Sequence, residues 1–105
     1  MAYFHLKLLP PRQTFPHDAT EEETAAMQRH AAYWRRNADT GVAIAVGPVF
    51  DQKGAWGMAV IETADPAAAK AIADADPVVL AGLGFRYEIS PIPSLILRPS
   101  AGAAV

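Results

Sequence analysis

Alternate residues are apolar near the start of the chain, a pattern typical of a strand with one buried face. The segment from Tyr3 to Leu9 has this pattern. Two further segments, Val42 to Val49 and Ala55 to Glu62, are apolar on both faces. We predict strands over all three segments, and the polar turn between the second and the third predicts that these two form a hairpin.

A first helix is predicted between the first two strands. Thr20 followed by three glutamates forms a capping box with an acidic first turn, so the helix should run from about Glu21 to Asp39 and stop at Gly41. Arginines lie elsewhere around this helix, Arg35 among them, and should face solvent. The residues expected to face inward are Met27, His30, Ala31 and Trp34.

A second helix is predicted after the hairpin. Asp65-Pro66 supplies a cap and a first-turn proline, and Ala67 to Ala75 is rich in alanine. Asp76-Pro77 should interrupt this helix, because proline disfavours a helical conformation at the residue before it. A last strand is predicted over Phe85 to Ile89, and the prolines from Pro91 onward should make the following chain irregular.

The resulting order, β-α-β-β-α-β, is that of a ferredoxin-like α+β domain. The chain of 105 residues is predicted to be one domain over 1–93 with a flexible tail over 94–105. Two helices can cover one face of a four-stranded sheet, yet the second and third strands are apolar on both faces. A second copy of the chain would cover the other face, which predicts a homodimeric α+β barrel.

Composition narrows the possible partners. The formal net charge of -2 disfavours nucleic-acid binding, which favours a basic surplus. The chain has no cysteine, so disulfides and thiolate chemistry are excluded and zinc lacks its preferred ligand. No apolar run approaches the roughly 20 residues that span a bilayer, and the N-terminus lacks the order of a signal peptide. We therefore expect a cytoplasmic protein without membrane contact.

Candidate chemistry centres on His30 and Asp76. His30 is a titratable side chain on the apolar side of the first helix, and Asp76 closes the second. A histidine titrates near neutrality, and a carboxylate that holds its ring can set the tautomer and raise the basicity. The plainer interpretation is a part-buried structural histidine and an aspartate that only caps a helical turn.

Other residues could complete a small-molecule site. Gly47-Pro48 would shape its wall or form only an edge irregularity, since proline cannot donate in a central ladder. Tyr33 and Trp34 would line the wall or belong to the core, and Arg86 would bind an anionic substrate or remain a surface charge. The histidines have no metal-ligand spacing, so neither a metal nor a cofactor is expected.

Several short motifs, in this order and spacing, resemble the YCII-related family over roughly residues 3 to 92. They are His30-Ala31-Ala32-Tyr33-Trp34, Gly41, Gly47-Pro48, Gly54-Ala55-Trp56-Gly57, Asp74-Ala75-Asp76-Pro77 and Gly84-Phe85-Arg86-Tyr87-Glu88-Ile89. The resemblance implies a dimeric α+β barrel whose active-site histidine and aspartate would be His30 and Asp76. Where chemistry is assigned in this family, it resembles elimination driven by proton transfer on a small ring. Many relatives have an aromatic residue where this chain has Val78, which bears on substrate size and shape.

We therefore predict a small-molecule enzyme that uses a His30–Asp76 dyad for proton transfer, in an elimination or an isomerisation. Two other functions remain open. One is a non-catalytic dimeric domain that binds a small ligand. The other is RNA binding, because RRM domains share this topology and Lys53 to Val60 faintly resembles an RNP1 strand, with Tyr3 or Phe4 as its partner. The aromatic residues expected at the next alternate positions of such a strand are missing.

Overall fold

Within residues 1–99, the part of the chain that the structure describes, four antiparallel strands form one sheet and three helices lie on one of its faces. The structure is a computed structural model. Its elements are β1 (Ala2–Leu9), α1 (Glu21–Asp39), β2 (Ala43–Asp51), β3 (Gly54–Thr63), α2 (Pro66–Asp74), α3 (Pro77–Leu80) and β4 (Arg86–Ile92). The order confirms the predicted α+β class, and α3 is the short helix that follows the predicted break at Asp76-Pro77.

The core lies between the helices and the sheet. The strand order is β2-β3-β1-β4, so β2 and β4 are the edges. The register places Leu6 of β1 beside Ala59 of β3 and Ile89 of β4. These side chains, together with Phe4 and Ile61, pack against α1 and α2. The alternation predicted for β1 is therefore confirmed.

The opposite side of the sheet, the outer face, has no helix over it within the described residues. The register of β1 and β3 places seven side chains there, which are Tyr3, His5, Lys7, Trp56, Met58, Val60 and Glu62. His5 meets the Trp56 ring edge-on with centroids 5.8 Å apart, and the Lys7 Nζ lies 4.7 Å from the centre of that ring. All seven residues remain half-buried, so the chain alone leaves a partly apolar surface on this side.

Helix α1 has the predicted bounds because both of its ends are capped. The Thr20 hydroxyl accepts a hydrogen bond from the Glu23 backbone N–H at 3.1 Å, and the Glu23 carboxylate accepts one from the Thr20 backbone N–H at 2.9 Å. At the other end Gly41 has a φ of 86°, the left-handed conformation that glycine adopts at little cost. Of the four residues predicted to face inward, Trp34 is buried and the other three are half-buried.

The two edge strands run further than the sequence predicts. β4 continues to Ile92, so Pro91 lies within a strand and not in an irregular segment. Proline is tolerated at an edge, where its missing N–H need not join a ladder. Pro48 lies on an edge strand too, and the irregularity of that strand falls between Ala43 and Ala45 instead of at Gly47-Pro48.

Two further expectations concern the C-terminal tail and membrane-spanning helices. Residues 100–105 of the predicted tail lie outside the described residues, so the flexibility of that segment remains a prediction. Between residues 1 and 99, no helix is both long and apolar enough to cross a membrane. The longest of them, α1, begins with three glutamates and has an arginine in its last turn.

One arginine ties the loop between β1 and α1 to the helix. The Arg12 guanidinium contacts the two carboxylate oxygens of Glu23, each at 2.7 Å, and it also contacts Asp18 at 3.0 Å. Glu23 is buried, and the hydrogen bond from Arg12 is the main reason that its pKa is lowered to about 2. Phe15 of the same loop packs edge-on against Phe85, with ring centroids 5.1 Å apart. The loop is therefore fixed across the start of α1.

Glu23→Gln should reduce the acid sensitivity of the fold. The pKa of Glu23 in the folded chain, about 2, is below its ordinary value of 4.5, so the ion pair stabilises the fold above about pH 4.5 and is lost as the pH falls toward 2. Urea unfolding across this range should show a smaller fall in the free energy of unfolding for the variant than for the wild type. Glu22→Gln, at an exposed position of the same turn, should behave like the wild type. The same pH dependence in both variants would contradict the role of the Arg12 contact.

Candidate functional site

A cavity of about 780 Å³ lies between α1 and the half of the sheet formed by β2 and β3. Its walls are mostly apolar, with Pro48 and Gly57 on the sheet side and Phe15 at the end near the loop. Val46 and Phe50 border it as well, and they are 40% and 66% exposed, so the cavity opens along the β2 edge. Its size and lining fit a small and largely apolar molecule.

His30 brings a titratable group to this cavity. The residue lies on α1, borders the cavity, and has a side chain that is 14% exposed. Its Nδ1 lies 2.7 Å from Oδ2 of Asp76, which is the N-cap residue of α3. Asp76 has this position because Pro77 ends α2 and begins α3. The two residues that the sequence singles out therefore lie in direct contact.

Asp76 is a fully buried carboxylate that meets four hydrogen-bond donors. Its Oδ1 accepts from the Val78 backbone N–H at 3.0 Å, which caps α3. The donors to its Oδ2 are His30 Nδ1 at 2.7 Å, Trp34 Nε1 at 2.9 Å and the Tyr87 hydroxyl at 2.5 Å. A buried charge without such partners would cost several kcal/mol. The donors therefore make the burial of Asp76 possible.

The same hydrogen bonds keep Asp76 ionised. Burial alone would raise the pKa of this carboxyl, but the hydrogen bonds from His30 and Tyr87 outweigh it, and the pKa lies below its ordinary value. The pKa of Tyr87 is raised, first by burial and then by the charge on Asp76, so its hydroxyl stays protonated and donates. Near neutral pH the contact is thus between a carboxylate anion and a neutral phenol.

The charge on Asp76 determines the tautomer of His30. An ionised carboxylate only accepts hydrogen bonds, so Nδ1 carries a proton. Nε2 of the neutral ring then holds the lone pair, and no group among residues 1–99 forms a hydrogen bond to it. Because Nδ1 faces Asp76 and the ring borders the cavity, Nε2 is the nitrogen that a bound molecule would meet. An imidazole held in this way can take a proton from one atom and return it to another.

Some of the other predicted site residues border the cavity, and some lie away from it. Those that border the cavity are Trp34, Gly47 and Pro48. The Tyr33 hydroxyl instead donates to the Ile72 backbone oxygen at 2.7 Å, which joins α1 to α2. Arg86 is exposed on the outer face, and its guanidinium lies 3.5 Å from Glu88. Because neither Tyr33 nor Arg86 borders the cavity, this geometry gives their predicted substrate contacts no support.

The sequence interpretation missed the roles of two residues. Tyr87 completes the donors around Asp76, and a signal for it exists in the alternation of β4, which places a tyrosine on the same side as Ile89. Arg35 is exposed, as expected, but it also borders the cavity. Helical periodicity could not predict this position, because it indicates the direction of a side chain but not whether a cavity lies beside the helix.

Of the residues of the RNA-binding alternative, Tyr3 and Trp56 lie on the outer face, whereas Phe4 is buried under the helices. The register pairs Tyr3 with Glu62 and Lys7 with Met58, so Tyr3 and Trp56 lie toward opposite ends of β1 and β3. No three histidine, aspartate or glutamate side chains are close enough together, within the described part of the chain, to hold a metal ion.

The family of the chain follows from comparison with known proteins. The family model of the YCII-related domain matches residues 5–93, from β1 to beyond the end of β4. The match includes the positions of His30 and Asp76, and it confirms the family that the sequence motifs resemble. No curated protein matches the chain.

Asp76→Asn should destabilise the fold although it nearly preserves the side-chain shape. In either orientation the new amide places an NH₂ group against a buried donor, the Val78 N–H on one side or the Trp34 N–H on the other. An unsatisfied buried donor costs about 1–3 kcal/mol, so the free energy of unfolding should fall by about that amount. Asp74→Asn, at an exposed position on α2, should change it by less than about 0.5 kcal/mol.

Urea denaturation measures these differences in the free energy of unfolding. Nitrogen NMR of the histidine ring reports the tautomer of His30 as a second, independent result. In the wild type the neutral ring of His30 should be protonated on Nδ1. In Asp76→Asn a mixture of tautomers is expected, because the amide NH₂ can donate to Nδ1. Wild-type stability together with an unchanged tautomer would show that the hydrogen bond between the two residues is unimportant.

Proposed function

The chain belongs to the YCII-related domain family, and we propose that it is an enzyme that moves a proton on a small organic substrate. His30 is the general acid and base of this reaction. The observation that supports the proposal best is that one nitrogen of His30 is held by a buried, ionised carboxylate, while the other forms no hydrogen bond within residues 1–99 and the residue borders an apolar cavity. Proton transfer by an imidazole requires neither a metal nor a cofactor.

The proposed reaction begins with a C–H bond of the substrate beside His30. Nε2 takes the proton, and the electron pair of that bond forms a new double bond. In an elimination, a leaving group departs from the adjacent carbon with its own bonding electrons. In an isomerisation, the electrons of a neighbouring double bond shift to its far atom, and the imidazolium returns the proton to that atom. Both outcomes leave His30 neutral after the proton has passed to the leaving group, to water or back to the substrate.

Asp76 has a positioning role in this proposal. It keeps the proton on Nδ1, and once the ring has taken a second proton, the carboxylate and the imidazolium form an ion pair at a hydrogen-bond distance of 2.7 Å. Trp34 and Tyr87 donate to the same oxygen and prevent the carboxylate from turning away. The apolar walls strengthen this electrostatic effect, because they exclude water from the reacting atoms.

His30→Ala should remove most of the catalysis. Turnover should fall about 100-fold to 10,000-fold, the usual contribution of a general acid–base group. Thermal-shift screening of small phenols, quinones and carboxylates supplies candidate substrates, and chromatography measures the rate at which each is consumed. His17→Ala is the matched control, since His17 is exposed and does not border the cavity. It should retain wild-type turnover.

The double variant His30→Ala/Asp76→Asn tests whether the two residues act together. Its turnover should be close to that of His30→Ala alone, because a positioning carboxylate has nothing to position once the ring is gone. A ligand that stabilises the wild type and is never consumed would instead favour the non-catalytic binding domain. Consumption at the same rate by the wild type and His30→Ala would place the chemistry elsewhere.

We also propose that a second copy of the chain covers the outer face and closes the sheet into a dimeric barrel. Its support is the apolar surface of the outer face, where Trp56, Met58 and Val60 lie without a covering helix in the described chain. Apolar patches of this kind commonly mark interfaces between proteins. Like-with-like contact of the two outer faces around a twofold axis would bury both at once.

Dimerisation should depend on the outer face. Sedimentation equilibrium at micromolar concentration should give twice the chain mass of 11.2 kDa. Val60→Glu should give a folded monomer, because it places a charge in the middle of the proposed interface. Ala71→Glu adds the same charge on the exposed side of α2 and should leave the dimer intact. A wild-type chain that stays monomeric would contradict the barrel, whatever the variants do.

A further inference from the structure

Arg35, an exposed residue of α1 that borders the cavity, places a fixed positive charge at its edge. The other residues that border it within 1–99 are apolar apart from Thr24, His30 and Tyr87. None of these described lining residues is an aspartate or a glutamate. The carboxylate of Asp76 lies behind His30, fully buried and already surrounded by donors. The cavity therefore offers one cation to a ligand and no competing anion.

The guanidinium of Arg35 is available to a ligand. Among the described residues it forms no ion pair, in contrast to Arg12 and Arg86. The other arginines of α1, Arg29 and Arg36, do not border the cavity. The planar guanidinium donates two parallel hydrogen bonds that match the two oxygens of a carboxylate. A single cation also matches a carboxylate better than it matches a phosphate, which carries up to two negative charges near neutral pH.

The distance between Arg35 and His30 limits the length of the ligand. The two residues are on the same helix, and five steps separate them by about 7.5 Å along its axis and by about 140° around it. One ring with a short acidic substituent spans the distance along the axis, and the long side chain of Arg35 has to cover the rotation around the helix. Ala31 and Trp34 border the cavity between the two polar groups and present an apolar surface to that ring.

We infer that the substrate is a cyclic or aromatic monocarboxylic acid. Its carboxylate binds Arg35, its ring fills the apolar cavity, and its reacting carbon meets Nε2 of His30. The identity of the reacting end rests on the proposed function, whereas the binding of the carboxylate depends on Arg35. An experiment can therefore contradict the proposed reaction without contradicting the binding of the carboxylate, and the reverse.

Matched pairs of acids and amides test the inference. The probes are benzoate, phenylacetate and naphthoate, each paired with its amide, which has nearly the same shape without the charge. Calorimetric titration of the whole chain at low salt should find an acid that binds about tenfold more tightly than its amide, the usual contribution of a hydrogen bond to a charged group. Arg35→Gln should lose this preference, and Arg29→Gln, exposed on the same helix, should keep it.

Further variants separate the possible outcomes. Arg35→Lys keeps the charge and should retain part of the preference, and added salt should weaken it in the wild type. His30→Ala should keep the preference, so a preference that depends on Arg35 supports the inference even where no acid is consumed. Equal affinity for acids and amides in the wild type would overturn it. So would an undiminished preference in folded Arg35→Gln, or no binding of any probe.

Discussion

A carboxylate buried away from water needs donors for its oxygens, and Asp76 receives them from three different elements. His30 and Trp34 are on α1, Tyr87 is on β4, and Val78 donates from the backbone of α3. Each of these elements must stay in place for the charge to remain satisfied. Removal of one partner from a buried ion costs several kcal/mol, a large part of the stability of a small domain. The buried charge therefore fixes the position of α1 relative to β4 and α3.

The contacts that satisfy Asp76 are also the ones that the proposed proton transfer by His30 requires. The hydrogen bond at Nδ1 stabilises the fold and, at the same time, leaves the lone pair at Nε2 on the side of the cavity. In the proposed reaction, stability and proton transfer are therefore inseparable at Asp76. At His30 the two roles belong to different nitrogens, because Nδ1 takes part in the buried network and Nε2 forms no hydrogen bond within residues 1–99. A His30 variant removes both, so its stability has to be measured beside its turnover.

Local signals in the sequence were enough to predict the helices and strands and to predict half of the candidate site. The capping box at Thr20 gave the start of α1, and Asp76-Pro77 gave the break at which the carboxylate lies. The alternation of β4 places Tyr87 on the inner face, but its contact with Asp76 depends on how β4 lies against α3, which is a long-range relation. The extent of β4 was underestimated because proline ends a central strand but not an edge strand. Arg86 lies on the outer face as a surface charge, the alternative that the sequence left open, because alternation in β4 places it opposite Tyr87.

The location of the cavity follows from the sizes of the side chains on the two sides of it. Helix α2 presents the small residues Ala69 and Ala73, both buried, so it lies close to β1, β3 and β4 and leaves little space. Over β2, α1 presents Ala31 and Ala38, and β3 presents Ala55, Gly57 and Ala59, while the larger Val46 and Phe50 lie at the opening along β2. The large Trp34 lies on the side toward β1 and β4, where it belongs to the core and contacts Asp76.

The small residues of α1 and β3 leave a gap between the helix and the sheet. No other element in the described chain fills it, because β2 is the edge strand and α1 is the helix that covers it. The core and the site thus lie side by side under the same helix, with Trp34 and His30 at the boundary between them.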